Sequence, residues 1–356
     1  MRVLVAAGGS GGHIFPALAV LEELQGEGGH ALGWVGSPQG LEAQIAAKRP
    51  WIEFFPLLSR GLPRQEPWAW PGALLQDLRA LAEARRIVRA FKPDVVLAMG
   101  GYPAVAPALA AKSLGVPVVL HEQNAVMGLA NRFLARFSDL VLLAFPKTQG
   151  CPHRANVLVT GTPVRRAITA LPQGLGQEFL VLGGSLGSRA LVEAVLARAP
   201  KFAALQGFRV RLVVGRAGNP EELARKLREK GVYAEAQSFT ERVEELLARA
   251  RLVLARAGGS TVAELACAGR PAILVPWEGA ATGHQLKNAE YLAKGGGFLL
   301  LRERELSSSK LDELVEGLWA DEAGLFRLSA AARAQARPDA AQRVVEALKA
   351  LGKEPS

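Results

Sequence analysis

The run Gly8-Gly9-Ser10-Gly11-Gly12-His13 follows a short apolar segment, Val3–Ala7, and leads into an amphipathic stretch that reaches Val20. Glycines let a backbone take positive φ and come close to a ligand. A helix that starts in such a turn offers unpaired N–H groups and the positive end of its dipole, so an anion or a sugar-phosphate fits there. A histidine in the same turn adds a group able to move a proton near neutral pH. The competing reading is a tight turn with a capping histidine. The run is not a P-loop, because no Gly-Lys-Ser/Thr follows. It is a poor dinucleotide fingerprint too. Gly9 and Gly11 match the first glycines, but Ile14 stands where the third small residue belongs. The second apolar segment ends at Trp34-Val35-Gly36-Ser37 with no acid to hold a ribose.

Other clusters carry chemistry as well. Met99-Gly100-Gly101-Tyr102-Pro103-Ala104 joins a flexible turn to a phenol, with a packing tyrosine as the alternative. Leu120-His121-Glu122-Gln123-Asn124 ends an apolar segment with successive polar side chains that are hard to bury and suited to gripping sugar hydroxyls; the alternative is a solvated loop. Arg256-Ala257-Gly258-Gly259-Ser260-Thr261-Val262-Ala263-Glu264 places glycines before a helix whose first turn can receive a diphosphate. There Glu264 is either a ribose ligand or the last residue of a capping box begun by Thr261. In His284-Gln285-Leu286-Lys287-Asn288-Ala289, the two amides share a helical face, either toward a hydroxyl-rich ligand or as plain polar surface.

The elements that must position these groups alternate. Apolar strands are expected at Val3–Ala7, Leu32–Val35, Val95–Met99, Val116–Leu120 and Leu140–Ala144, and again at Phe179–Leu182, Arg209–Val214, Leu252–Ala255, Ala272–Val275 and Phe298–Leu301. Helical periodicity fills the gaps, for example over Leu74–Phe91, Glu221–Lys230 and Glu241–Ala250. Continuous Val/Leu/Ala strands between helices imply parallel sheets covered on both faces. Phe179–Val195 repeats the opening pattern of strand, glycine-serine turn and helix, and Leu171–Gly176 reads as a linker. The expectation is an α/β chain of two Rossmann-like domains facing each other across a cleft. The first spans residues 1–163 and takes back a C-terminal helix within 337–356; the second spans 164–336. Both glycine turns would open beyond the carboxyl ends of their strands.

At 356 residues the chain can bury two cores. A net charge of +10 points to an anionic partner: a phosphorylated substrate, an anionic membrane or nucleic acid. Nucleic acid is disfavoured, since no zinc finger or RNP motif appears and the arginines are dispersed. No signal peptide precedes the first strand and no apolar run is long enough to span a bilayer, so a cytoplasmic protein is expected. Cys151 and Cys267 read as small core residues.

Taken in order, GGSGGH, MGGY, LHEQN, Gly161-Thr162-Pro163-Val164-Arg165, GGSLGS, RAGGSTVAE and HQxxNA resemble the MurG family over almost the whole chain. The resemblance implies a GT-B fold and transfer of GlcNAc from UDP-GlcNAc to the C4 hydroxyl of MurNAc in undecaprenyl-diphospho-MurNAc-pentapeptide, with inversion at the donor carbon. It implies that Ser10, Gly11, Gly12 and Asn124 lie beside the GlcNAc and diphosphate, that Arg165 and Ser185 bind phosphate, and that the backbone of Thr240 reads uracil. Gly259, Ser260, Thr261 and Val262 would cradle the α-phosphate, Glu264 would hold the ribose and Gln285 the sugar hydroxyls. Tyr102 and Asn131 would stand on the acceptor side. Two departures are visible. Pro103-Ala104-Val105-Ala106 replaces a segment that usually carries a serine, and Ser188 stands where alanine is usual, a change expected to matter little. A UDP-GlcNAc epimerase of the same fold and a non-catalytic nucleotide-sugar-binding subunit are the alternatives.

An inverting transfer needs a base. His13 is the first choice and Glu122 the second. No Asp-x-Asp pair stands at a strand end, so neither a metal nor another cofactor is expected. Contact with an anionic inner-membrane surface from the cytoplasmic side is assigned to Leu62, Trp68, Trp70, Leu74 and Leu75 beside Arg60 and Arg64; the alternative is that these residues pack in the core.

Overall fold

Strands rich in Val, Leu and Ala need apolar cover on both faces, and in the computed structural model helices supply it on each side of two parallel sheets. The structure describes residues 1–58, 70–184, 186–279 and 282–352, with only the backbone of 70–75. The chain divides into two compact units, Met1–Arg165 with Asp339–Ser356, and Arg166–Pro338.

The first unit runs β1 (Arg2–Ala6), α1 (Gly11–Glu27), β2 (Ala31–Gly36), α2 (Leu41–Ala47), β3 (Ile52–Pro56), α3 (Trp70–Phe91), β4 (Val95–Ala98), α4 (Val105–Ser113), β5 (Val118–Glu122), α5 (Leu129–Leu134), β6 (Leu140–Leu143) and β7 (Val157–Val159). Its sheet has the order β3-β2-β1-β4-β5-β6-β7, with every pair parallel. The second unit runs α6 (Arg166–Thr169), β8 (Glu178–Leu182), α7 (Arg189–Phe202), β9 (Arg209–Val213), α8 (Pro220–Glu229), β10 (Tyr233–Gln237), α9 (Val243–Arg249), β11 (Ala250–Ala255), α10 (Gly259–Ala268), β12 (Ala272–Leu274), α11 (His284–Lys294), β13 (Phe298–Leu300), α12 (Lys310–Ala320) and α13 (Glu322–Ala334). Its sheet, β10-β9-β8-β11-β12-β13, is again wholly parallel.

In both sheets the first strand of the unit lies centrally and the order reverses beside it, between β1 and β4 and between β8 and β11. These are topological switch points, where ligands bind beyond the strand ends in open α/β sheets. The glycine motifs follow these four strands.

The last helix, α14 (Ala340–Leu351), belongs to the first unit. Its Val344, Val345 and Leu348 are fully buried in one core cluster with Val3, Val5 and Leu21. Leu348→Ala should therefore cost ~2–5 kcal/mol. Denaturant unfolding followed by a probe in the first unit should show that loss.

Candidate functional site

The loop after β1 leaves backbone donors without partners inside the helix. Ser10 is the N-cap of α1 in extended conformation, and its side chain makes no capping bond. Its carbonyl accepts from the amides of His13 and Ile14, at 3.0 and 3.1 Å. The amides of Gly11 and Gly12 are thus left without intrahelical partners. His13 stands in the first helical turn but does not cap it; its Nδ1 lies 3.2 Å from Gln123 Oε1. The Gln123 amide donates through Nε2 to the Met99 carbonyl at 2.8 Å. That bond turns Oε1 toward the imidazole, so Nδ1 carries the hydrogen and Nε2 keeps its lone pair. Gly100 and Gly101, both at positive φ, lie against the ring, and a side chain at either would press on it. Tyr102 is about half exposed (46%) and does not pack as a core tyrosine.

The polar end of β5 turns inward instead of toward a ligand. His121, Glu122 and Gln123 are at most 1% exposed. Glu122 Oε1 accepts from the Asn124 amide and the Asn124 side chain, both at 3.0 Å. Its Oε2 accepts from Gly128 N–H at 3.0 Å and from Asn131 Nδ2 at 2.9 Å. A buried carboxylate whose two oxygens hold four donors organises the 122–131 loop and offers no oxygen to a substrate hydroxyl, so Glu122 is not the base. Asn131, also expected on the acceptor side, is buried and donates to Glu122 and to the His121 carbonyl. It supports the loop from within. Asn124 is partly exposed with its amide on Glu122. The Arg165 guanidinium lies 5.2 Å from the centre of the Phe15 ring, within the first unit.

In the second unit, Gly183 and Gly184 lead toward Ser188, the N-cap of α7, whose hydroxyl accepts from Leu191 N–H. The same oxygen accepts from Arg256 Nε at 3.0 Å. Arg256 is buried and also donates through Nη1 to the Val275 carbonyl at 3.2 Å and to Glu303 Oε2 at 2.8 Å. Ser188 was expected to matter little; it caps a helix and joins the loop after β8 to the end of β11. Neither Gln123's orienting role nor this arginine bridge was legible in the sequence, because both depend on pairing between distant strands.

The helix α10 begins at Gly259 with Gly258 as N-cap and no side-chain cap. Thr261 is therefore already inside the helix, and the capping box with Glu264 does not form. The first amides, at Gly259, Ser260 and Thr261, have no intrahelical partner, while Val262 N–H bonds back to the Gly258 carbonyl at 3.0 Å. Glu264 lies one turn further along α10, partly exposed. On α11 the two amides part company. Asn288 is fully buried and donates to the Ala257 carbonyl at 3.0 Å, holding the loop before α10. Gln285 is partly exposed and accepts through Oε1 from Trp277 N–H at 2.9 Å, so its NH2 points away from that bond. The Thr240 hydroxyl accepts from Arg242 N–H at 2.9 Å. Ser185, Leu62 and Trp68 lie outside the described residues, as do the side chains of Trp70, Leu74 and Leu75.

Residues 3–143 match the glycosyltransferase family 28 N-terminal domain, and residues 179–344 match the glycosyltransferase family 28 C-terminal domain. A UDP-N-acetylglucosamine--N-acetylmuramyl-(pentapeptide) pyrophosphoryl-undecaprenol N-acetylglucosamine transferase from Nitratidesulfovibrio vulgaris is 40% identical, with 98% of this chain and 96% of that protein covered. A protein of the same name from Alkalilimnicola ehrlichii is 41% identical, with 97% of each covered. Among solved structures, MurG of Acinetobacter baumannii superposes with a TM-score of 0.76 at 29% identity, covering 98% of this chain and 99% of that one.

The histidine of the β5 end carries a pH signature. Its Nε2 lies 2.9 Å from the Gly161 carbonyl and its Nδ1 is buried without a hydrogen-bond partner. Burial pushes the imidazole from its ordinary 6.5 down to about 4. Between those values the unfolded chain binds a proton that the folded chain refuses. Stability should therefore fall as pH drops from about 6.5 toward about 4, by up to ~3 kcal/mol for this group. Denaturant midpoints across that window should show a shallower slope in His121→Gln; an unchanged slope would remove His121 as the source.

Proposed function

The chain belongs to glycosyltransferase family 28 and, within it, to the MurG family, and from that membership we infer that it transfers GlcNAc from UDP-GlcNAc to undecaprenyl-diphospho-MurNAc-pentapeptide, the lipid I to lipid II step of peptidoglycan synthesis. The observation that carries this reading is identity near 40% over almost the full length of relatives with that named activity. The paired switch-point loops are the physical support. No observation favours the epimerase or the non-catalytic subunit.

In this reading, the nucleotide is held by the second unit. The free amides at the start of α10 receive the α-phosphate and Glu264 the ribose hydroxyls. The Thr240 backbone reads uracil, and Gln285 donates from its NH2 to the sugar. Ser185 and Arg165 bind the diphosphate, with the amides of Gly11 and Gly12, Ser10 and Asn124 beside the sugar. Tyr102 remains on the acceptor side, while Asn131 is reassigned to loop support.

His13 is the base. Gln123 holds its Nδ1–H, so Nε2 takes the proton of the acceptor C4 hydroxyl as that oxygen attacks the anomeric carbon. The bond to the diphosphate oxygen breaks, UDP leaves with the electron pair, and the α donor becomes a β-1,4 product. Charge gathering on the leaving diphosphate is stabilised by helix amides and Arg165.

The acceptor's lipid tail calls for peripheral contact with the cytoplasmic face of an anionic membrane. Among the described residues no helix is long and apolar enough to cross one. The tryptophan and leucine cluster of residues 62–75 remains the first candidate contact. A second support comes from exposed Leu129, Phe133 and Phe137, alternating with the basic side chains Arg132 and Arg136.

Radiolabelled UDP-GlcNAc with a short-chain lipid-linked MurNAc-peptide should yield a labelled β-linked disaccharide lipid. Isomerised sugar formed without acceptor, or no transfer at all, would overturn the assignment. In the same assay His13→Ala should lose ~10²–10⁴ in kcat while UDP affinity survives; near-normal turnover removes His13 from the role. Flotation with anionic vesicles should weaken in Trp68→Ser/Trp70→Ser and in Phe133→Ser/Phe137→Ser. Undiminished binding in either pair excludes that patch.

A further inference from the structure

Glu42, in the first turn of α2, is fully buried in the first unit and has no part in the chemistry described so far. Its Oε1 accepts from Ser37 N–H at 2.9 Å. Its Oε2 is buried without a hydrogen-bond partner. A buried carboxylate with an unsatisfied oxygen is destabilising, so a chain that keeps one gains something else from it.

The neighbours show what is gained. The space that a side chain at Gly8, Gly36 or Gly40 would need is filled by the Glu42 side chain. Glycine at those positions lets three stretches of backbone close around a single acid: the start of the loop after β1, the end of β2, and the turn before α2. Pro103 closes another flank of Gly8. A side chain at Gly101 would meet both the Gly8 carbonyl and the His13 ring, so these two flank the same glycine. A short chain of contacts therefore runs from the carboxylate to Gly8, to Gly101 and to the imidazole. Nearby bonds hold the rest of the loop base: Trp34 Nε1 donates to the Ala7 carbonyl at 2.9 Å, and Ala7 N–H donates to Val35 at 3.3 Å.

We propose that Glu42 is a positioning residue for the transfer step: its buried carboxylate sets the path of the Gly8–His13 loop and, through Gly8 and Gly101, the place of the His13 ring. The inference rests on the reading of His13 as base. It assigns Glu42 no contact with either substrate. The acid acts on the rate of the chemical step and not on capture of the nucleotide, which the second unit performs.

The test is a double-mutant cycle in the full-length protein, read with UDP-GlcNAc and the short-chain lipid-linked acceptor. Glu42→Ala should lower kcat by ~10–10²-fold, the scale of a base displaced by about 1 Å. KM for UDP-GlcNAc and the affinity for UDP should stay within about twofold. Glu42→Gln, which keeps an oxygen for Ser37 N–H and the same shape, should restore most of the rate. In the His13→Ala background, Glu42→Ala should cost almost nothing more, because the group it positions is gone. If Glu42→Ala does not fold, Gly8→Ala takes its place in the cycle, since its methyl would press on the same carboxylate. Losses that multiply, an unchanged kcat in a folded Glu42→Ala or Gly8→Ala protein, or failure of Glu42→Gln to restore the rate would overturn the inference. A silent His13→Ala would instead sink the base reading itself, and the two failures are told apart by that single variant.

Discussion

Where the order of a parallel sheet reverses, the connections on either side leave in opposite directions, and the strand ends between them stay uncovered. Backbone N–H groups there have no ladder partner and no helix overhead. This chain meets that constraint at β1/β4 and at β8/β11, and all four strands run into glycine-bearing loops. The glycines admit close backbone approach, and the helices α1 and α10 start with amides free of intrahelical partners. The candidate backbone contacts with a phosphate or a sugar depend on this shared geometry.

The loops are held from behind by buried polar groups, and all of these but Glu122 span distant parts of the chain. Glu122 gathers donors from Asn124, Gly128 and Asn131; Gln123 ties His13 to Met99. Arg256 joins Ser188 to Val275 and Glu303, and Asn288 holds Ala257. Such groups tolerate burial because their hydrogen bonds are made within the fold. The result is a division of labour: backbone amides at the helix starts are left without intrahelical partners, while many of the charged and amide side chains nearby face inward toward backbone.

That division explains what was legible in the sequence. The ten strands expected from apolar runs all form, because a strand buried on both faces must be apolar throughout. The three not foreseen, β3, β7 and β10, are all edge strands. Val157, Leu158 and Tyr233 there are about half exposed, and their surroundings place no such demand on composition. The glycine motifs were legible as turns opening helices for the same reason the central strands were: local backbone geometry requires particular residue types. The direction in which a polar side chain points was not. Glu122 reads as chemistry at a strand end and Asn131 as an acceptor-side residue, yet both turn inward to hold the loop, and the Thr261–Glu264 spacing suggested a cap that an earlier helix start precludes.

The return of α14 to the first sheet has a consequence for how the protein is made. The second unit, Arg166–Pro338, is one unbroken length of chain, whereas the first is completed only by residues after Asp339. During synthesis the first sheet must wait, with the apolar flank that receives Val344, Val345 and Leu348 uncovered, while the whole of the second unit leaves the ribosome. The order of maturation is therefore inverted relative to the order of translation: the unit begun second can finish first. The unit carrying the histidine loop becomes whole only after the other unit has been made.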